Sequence, residues 1–218
     1  DCDETTGNID VNAIEAAITD RTRAICVVHY LGLPVEMDRV IQLARRHDLF
    51  VVEDCALAIG SSLDGVSCGL LGDVGAFSFY PVKHITTGEG GMVVSRHEDV
   101  ISSIENIKAF GYDRSPKARS MPGEYDIARL GLNYRMSEIA AAIGVEQLKK
   151  VSRFLQQRAE NAAVLRTLLS NVKGVALLHE GGDRVKHGHY CLVVVLDDEI
   201  SESRPQIVAQ LRTRGVGT

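Results

Sequence analysis

The chain has 218 residues, of which 45% are hydrophobic and 24% charged, and its formal net charge is −5. This composition is typical of a globular fold with a sizeable core, and the length suggests one or two domains. The acidic balance argues against nucleic acid as the main partner, because phosphate binding requires a basic face. No apolar run approaches the roughly 18 residues of a membrane span and no signal peptide opens the chain, so we expect no membrane partner and a cytoplasmic location.

Cysteine and histidine spacing predicts neither disulfides nor a metal site. The five cysteines are odd in number, scattered and without a CxxC pair, which excludes a disulfide framework and a zinc motif. We therefore expect reduced, mostly buried thiols. His179, His187 and His189 lie in a polar stretch that lacks acids arranged for ligation, so a solvated turn is the favoured interpretation there.

The first fifty residues predict a helix, a strand and a second helix. Apolar residues on one face indicate a helix over residues 12–18, and the run 24–28 indicates a buried strand that ends at His29. His29 is either a contact beside a ligand or a structural histidine, and we assign it no role. Met37, Val40, Ile41 and Ala44 then follow the spacing of an amphipathic helix.

The candidate residues for a functional site are concentrated in residues 50–91. The apolar run Phe50-Val51-Val52 stops on Glu53 and Asp54, and a second run over residues 75–80 leads to Lys83 and a glycine-rich turn. Such runs predict buried strands of a parallel or mixed sheet, in which ligands lie beyond the carboxyl ends of the strands. Asp54 and Lys83 would therefore meet over one ligand. Alone, Asp54 is more simply a helix cap and Lys83 a solvated lysine.

A lysine amine paired with an acid indicates pyridoxal 5′-phosphate (PLP). A desolvated lysine forms Schiff bases, and PLP combines such a lysine with an acidic partner for its pyridinium nitrogen. Ser78 and the backbone N–H groups of the glycine turn are candidate donors to the oxygen anions of the cofactor.

The remainder of the chain predicts a helix, a loop and a second, smaller region. A helix is predicted over residues 99–110, followed by a long polar loop over residues 111–129. The bases of this loop either meet a nucleotide diphosphate or are simply solvated; they are Arg114, Lys117, Arg119 and Arg129. One long helix is predicted from Ser137, as N-cap, to Leu169. Strands over 175–179 and 190–196 and a helix over 203–214 follow. We expect a large PLP-binding domain over residues 1–150 and part of a small α+β domain over residues 151–218.

The sequence resembles the DegT-type nucleotide-sugar aminotransferases. The matching stretches run in one order along nearly the whole chain: VVHYLGLPVEMD (27–38), VVEDCALAIGS (51–61), GDVGAFSFYPVKHITTGEGGMVV (72–94) and GLNYRMSEIAAAIGVEQL (131–148). The resemblance implies an α/β fold, the three-layer sandwich of fold type I PLP enzymes with a mixed, mostly parallel sheet.

Site residues follow from the same resemblance. It implies that Asp54 bonds the pyridine nitrogen, that Ser78 binds the phosphate and that Lys83 bonds the cofactor covalently. Asn133 would reach the phosphate of the cofactor in the neighbouring subunit, which implies a homodimer with shared active sites. Where family members usually carry Gln or His near the ring hydroxyl, this chain has Leu57, which can pack against the ring but cannot hydrogen-bond to it.

The implied reaction moves an amino group, with glutamate as donor, to a keto group on a nucleotide-linked deoxysugar, for polysaccharide or secondary-metabolite synthesis. The family's upstream phosphate loop and stacking aromatic residue would precede residue 1, so we expect an internal fragment or a short relative. Three alternatives stay open: a sugar dehydratase, in which histidine replaces the lysine, a cyclitol or aromatic amine synthase, and a non-catalytic relative. Position 83 is Lys and its neighbour is His84, which favours the aminotransferase.

Overall fold

The computed structural model describes residues 1–113, 121 and 123–217. Its helices are α1 Val11–Ala17, α2 Met37–Arg46, α3 Glu98–Ile107, α4 Glu138–Leu148, α5 Val151–Leu169, α6 Asp198–Ser201 and α7 Arg204–Thr213. Its strands are β1 Ala24–Val28, β2 Phe50–Asp54, β3 Ser62–Leu63, β4 Val66–Ser67, β5 Val74–Ser78, β6 Gly91–Ser95, β7 Val175–Leu177, β8 Val185–Lys186 and β9 Val194–Leu196. A 3-10 turn, Tyr30–Gly32, follows β1.

Four strands form the central sheet, in the order β1, β2, β5, β6. β1 pairs with β2 and β2 with β5 in parallel, whereas β6 runs antiparallel to β5. The predicted mixed, mostly parallel sheet of an α/β fold is therefore confirmed. Because parallel strands end at the same edge, the residues that follow β1, β2 and β5 meet there.

The two faces of this sheet differ in burial. Side chains alternate along a strand, and Ile25, Val27 and Val51 lie in the main hydrophobic core with residues of α1 and α2. On the opposite face Val28 is 44% exposed and Val93 is 38% exposed. Along β1 and β2 one face of the sheet is thus covered by helices and the other is more open, whereas β6 at the margin is exposed on both faces, with Met92 52% exposed.

Helix α2 covers the buried face, as its apolar spacing predicts. Met37, Val40 and Ala44 are buried, while Arg39 and Arg45 are exposed. An acid in the first turn and two arginines in the last complement the helix dipole. The predicted apolar stripe of this helix is confirmed.

The prediction of a single helix from Ser137 to Leu169 is wrong, since α4 and α5 separate at residues 149 and 150. Ser137 caps α4 as predicted, and its Oγ accepts the N–H of Ala140 at 3.2 Å. At the other end the N–H of Lys150 turns to the carbonyl of Gln147, three residues back, at 3.0 Å. This bond tightens the last turn and ends the helix, while the apolar spacing continues in phase across the break.

The strand predicted over residues 190–196 is shorter than expected, and β9 holds only Val194–Leu196. Tyr190 instead donates its N–H to the carbonyl of Leu31 at 3.0 Å. An unpredicted strand, β8, pairs antiparallel with β3. These contacts join residues on the two sides of position 150, and the division into domains at that position stays a prediction.

The expectation of mostly buried thiols is wrong. Only Cys55 and Cys68 are buried, whereas Cys2, Cys26 and Cys191 are exposed. Cys26 is exposed because it alternates onto the open face of β1. In the described part of the chain, no helix combines the length and apolar character needed to cross a membrane.

Candidate active site

Asp54 and Ser78 end adjacent strands at the carboxyl edge of the central sheet. Asp54 pairs with Ala76, so Ser78 lies two residues further along β5 and on the same face. A strand spacing of roughly 4.8 Å and a rise of about 3.3 Å per residue put the two Cα atoms roughly 8 Å apart. One ligand with a ring and a phosphate arm can therefore span this distance.

The carboxylate of Asp54 keeps most of its accepting capacity. Oδ1 accepts the N–H of Ala56 at 2.9 Å, which fixes the side chain in a local turn. The residue is half-buried, and among the described residues no Lys, Arg or His forms an ion pair with it. A half-buried carboxylate with free lone pairs fits a protonated ring nitrogen.

Ser78 is available as a hydrogen-bond donor. Its Oγ accepts the N–H of Tyr80 at 3.3 Å, so the hydroxyl proton is free to point to a ligand. The nearby turn requires glycine at position 90, where φ is +155° and an added Cβ would lie 2.5 Å from Oγ1 of Thr87. In that turn the N–H of Gly88 donates to Oγ1 of Thr86 at 3.0 Å, so this N–H is not a free donor for a phosphate.

Lys83 lies in the turn that follows β5. The residue is half-buried, its backbone N–H donates to the carbonyl of Tyr80 at 3.0 Å, and its amine lies 5.4 Å from the centre of the Tyr190 ring. No carboxylate lies within ion-pair distance of this amine in the part of the chain that the structure describes. Most lysines at a protein edge are either solvated or paired; Lys83 instead has an aromatic partner and no counter-charge.

Glu53, adjacent to Asp54, is the centre of a buried hydrogen-bond network that was not predicted from the sequence, and we call this network the Glu53 junction. Its side chain is fully buried and accepts hydrogen bonds from Nε2 of His29 (2.8 Å) and the N–H groups of Gly69 (2.8 Å) and Gly72 (2.6 Å). Burial alone would raise the pKa of Glu53, but these three hydrogen bonds outweigh it and lower the pKa. The junction connects the ends of β1 and β2 to the turn that enters β5.

His29 is a structural histidine. Its Nδ1 accepts the N–H of Val35 at 3.1 Å, which places the ring proton on Nε2, where it is donated to Glu53. The open question about His29 is thereby answered: both ring nitrogens are engaged within the core. Alternation along β2 then directs Asp54 to the opposite face from Glu53.

His29, Glu53 and Cys68 form the one grouping among the described residues whose ligand atoms lie within 4.8 Å of one another. The His29 and Glu53 atoms of this group are already hydrogen-bonded to each other. Burial and the nearby Glu53 charge raise the pKa of Cys68 to about 12 and also raise that of Cys55. Both thiols are therefore protonated near neutral pH in the structure as described.

The other predicted residues make no contact among the described residues that defines a role. Leu57 is half-buried in the turn three residues beyond Asp54. Asn133 is exposed, and its Oδ1 accepts Nε–H of Arg135 at 3.1 Å. None of its contacts within the described chain reaches Asp54, Ser78 or Lys83. Of the loop bases, Arg129 contacts Ser103, and Arg114, Lys117 and Arg119 lie outside the described residues.

The sequence profile of the DegT/DnrJ/EryC1/StrS aminotransferase family matches residues 1–218. The chain belongs to this family. The predicted family resemblance is confirmed, and with it the aminotransferase fold of PLP enzymes. Members of the DegT/DnrJ/EryC1/StrS family are PLP-dependent.

Several relatives act on nucleotide-linked sugars. GDP-perosamine synthase of Caulobacter vibrioides is 35% identical over 216 residues, which cover 99% of this chain and 56% of that protein. GDP-4-keto-6-deoxy-D-mannose 3-dehydratase of Yersinia pseudotuberculosis is 31% identical and is matched over 99% of this chain and 57% of its own length. The crystal structure of the sugar aminotransferase CalS13 from Micromonospora echinospora superposes with a TM-score of 0.89 at 32% identity, over 99% of this chain and 58% of that one. The chain thus spans a little over half the length of these relatives.

The residues of this edge fit PLP by their chemistry. A carboxylate with free lone pairs, a hydroxyl donor and an amine without a counter-charge are the three groups that a pyridinium nitrogen, a phosphate and an aldehyde require. Next to Lys83, Nδ1 of the buried His84 has no hydrogen-bond partner among the described residues. A buried polar atom of this kind is typical of a site completed by a ligand or water.

Proposed function

We propose that this chain carries the lysine-bearing active-site core of a PLP-dependent aminotransferase that transfers an amino group, from glutamate, to a nucleotide-linked keto-deoxysugar. The observation that carries the proposal is that the half-buried residue Lys83, whose amine has no ion-pair partner among the described residues, lies beyond the same sheet edge as the Asp54 carboxylate, which keeps most of its accepting capacity. Family membership supports the reaction class, and the relatives named above support the sugar substrate.

When bound, PLP supplies an aldehyde that bonds an amine and a ring that accepts the electrons of a substrate carbanion. Asp54 would hold the proton on the ring nitrogen, because a carboxylate beside it favours the charged ring. Ser78 would donate its hydroxyl proton to a phosphate oxygen. Lys83, once its amine is free, would carry the proton between the two carbon atoms involved in amino transfer.

Asn133 is proposed to act across a dimer. Its exposure is compatible with contact to a cofactor phosphate in a second subunit, the role that family resemblance implies for it. The open face of the sheet and the exposed apolar residues of α4, such as Ile139 at 77%, would then be covered in the assembled protein.

The second candidate function is sugar dehydration, which the Yersinia relative represents. Position 83 argues against it, because the histidine expected for that reaction is absent there. The neighbouring His84 is buried, and its Nε2–H donates to the carbonyl of Gly188 at 2.8 Å. Its Nε2 is therefore engaged with the backbone, and the residue does not stand at the position of the lysine.

Absorbance spectroscopy with PLP tests the proposal. We expect a visible band of protein-bound cofactor that is lost in Lys83→Ala but retained in Lys173→Ala, an exposed lysine that serves as control. Glutamate should convert the band to that of the pyridoxamine form. After removal of free PLP, a wild-type protein without a visible band would favour the non-catalytic relative, and a Lys83-dependent band that glutamate leaves unchanged would count against amino transfer from glutamate.

A further inference from the structure

The segment from His187 to Tyr190 folds back onto the edge of the central sheet, far from its place in sequence. The N–H of Gly188 donates to the carbonyl of Gly32 at 2.9 Å, and the N–H of Tyr190 donates to the carbonyl of Leu31 at 3.0 Å. On the other side, Nη1 of Arg158 donates to the carbonyl of Tyr190 at 2.8 Å. Bonds to both the turn after β1 and helix α5 therefore fix the position of this segment.

His84 fastens the same segment to the turn that carries Lys83. The residue is 4% exposed, and its ring donates Nε2–H to the carbonyl of Gly188 and lies 5.6 Å from the Tyr190 ring. Burial lowers the pKa of His84, so the ring is neutral near pH 7 and the donated proton stays in place. Adjacent residues, 83 and 84, thus contact the segment in two ways.

Close packing leaves no room for a side chain at position 188, the centre of this contact. A Cβ added to Gly188 would lie 2.6 Å from Oγ of Ser61, which itself donates to the carbonyl of Gly32 at 2.7 Å. The backbone of the segment can approach the sheet edge only because residue 188 is glycine. The backbone contacts of this segment therefore fix the position of Tyr190 beside Lys83.

We propose that Tyr190 is a positioning residue for Lys83, held in place by His84. The amine lies 5.4 Å from the ring centre, within the range in which an aromatic face attracts an ammonium group. A lysine side chain has four rotatable bonds, and an aromatic wall on one side limits both its rotamers and its contact with water. The contact holds the amine at the sheet edge before any ligand arrives. The role of this contact in catalysis rests on the proposed function of Lys83. The contact between Lys83 and Tyr190 is observed independently of that function.

Competitive amine labelling of the cofactor-free protein, read by mass spectrometry, tests this proposal. The labelling rate of Lys83 is divided by that of the exposed Lys173 in the same sample. We expect Tyr190→Leu to raise this ratio about two- to fivefold, the factor that corresponds to a cation–π contact of about 0.5–1 kcal/mol. Tyr190→Phe keeps the aromatic face and should leave the ratio within about 1.5-fold of wild type.

An unchanged ratio in a folded Tyr190→Leu protein would overturn the proposal. If that variant fails to fold, the NMR chemical shifts of the wild-type protein test the proposal instead. The ring current of Tyr190 should shift the ε-methylene protons of Lys83 upfield. An ordinary lysine chemical shift would overturn the proposal. Borohydride trapping of PLP on Lys83 is measured separately. Failure to trap would reject the proposed function and leave the labelling result intact.

Discussion

Replacing Glu53 by Gln probes the junction that organises the ends of three strands. The glutamine amide keeps one accepting oxygen and places an NH₂ group where the other carboxylate oxygen stood. Whichever way the amide turns, at least one buried donor from His29, Gly69 or Gly72 loses its acceptor. One orphaned buried N–H costs about 1–3 kcal/mol, and loss of the charge weakens the bonds that remain. We therefore expect a loss of about 2–4 kcal/mol in the free energy of unfolding.

Urea unfolding at pH 7 measures this loss, with Glu105→Gln as the control because Glu105 is exposed on α3. The effect should also depend on pH. Since the folded-state pKa of Glu53 is lowered, its stabilisation is fully present above its ordinary pKa of 4.5 and is lost as the pH falls through the lowered value. The difference between wild type and Glu53→Gln should therefore narrow below about pH 4.5. Equal stability of the two Gln variants at pH 7, or a difference independent of pH, would refute the account of this junction.

Three further substitutions follow from the site. Asp54→Asn should leave PLP attached but slow the half-reaction with glutamate by about 100-fold, because an amide does not hold the ring proton; an unchanged single-turnover rate would contradict this. Gly188→Ala should destabilise the protein by about 1–3 kcal/mol through the clash with Ser61, whereas Gly182→Ala, with nothing within 4 Å of its added Cβ, should be neutral in the same thermal melt. Leu57→Gln adds a hydrogen-bonding group beside the expected ring hydroxyl and should shift the visible absorbance maximum of bound PLP; an identical spectrum would place residue 57 away from the ring.

Local patterns were sufficient to predict the three parallel strands of the central sheet. The run that stops on Asp54 and the run over residues 75–80 are short, apolar and flanked by turn residues, and the structure pairs β2 and β5 side by side. The apolar stripe on α2 was likewise predictable, because apolar residues that recur with the 3.6-residue period of a helix lie on one face. By contrast, the apolar spacing continues in phase through Lys149 and Lys150, so it gave no sign that the helix divides there.

Contacts between residues that are distant in the sequence could not be predicted from it. Nothing local shows that Tyr190 returns to Lys83, or that β8 joins β3, because these contacts depend on how distant segments pack. Glu53 stood beside Asp54 as a second acid of unknown purpose. Strand alternation places the two on opposite faces, and only the packing of His29 and the turns at Gly69 and Gly72 shows which acid is buried. Glu53 is engaged by hydrogen bonds in the core, and Asp54 is the acid that we propose for the ligand.

We propose that the Lys83 amine and the Asp54 carboxylate hold a single pyridine ring between them. A crystal structure of the protein soaked with PLP measures this directly. We expect continuous density between Nζ of Lys83 and the cofactor, and a carboxylate oxygen of Asp54 within about 3.2 Å of the ring nitrogen. Cofactor bound elsewhere, or a ring joined to Lys83 with Asp54 out of reach of its nitrogen, would contradict the account.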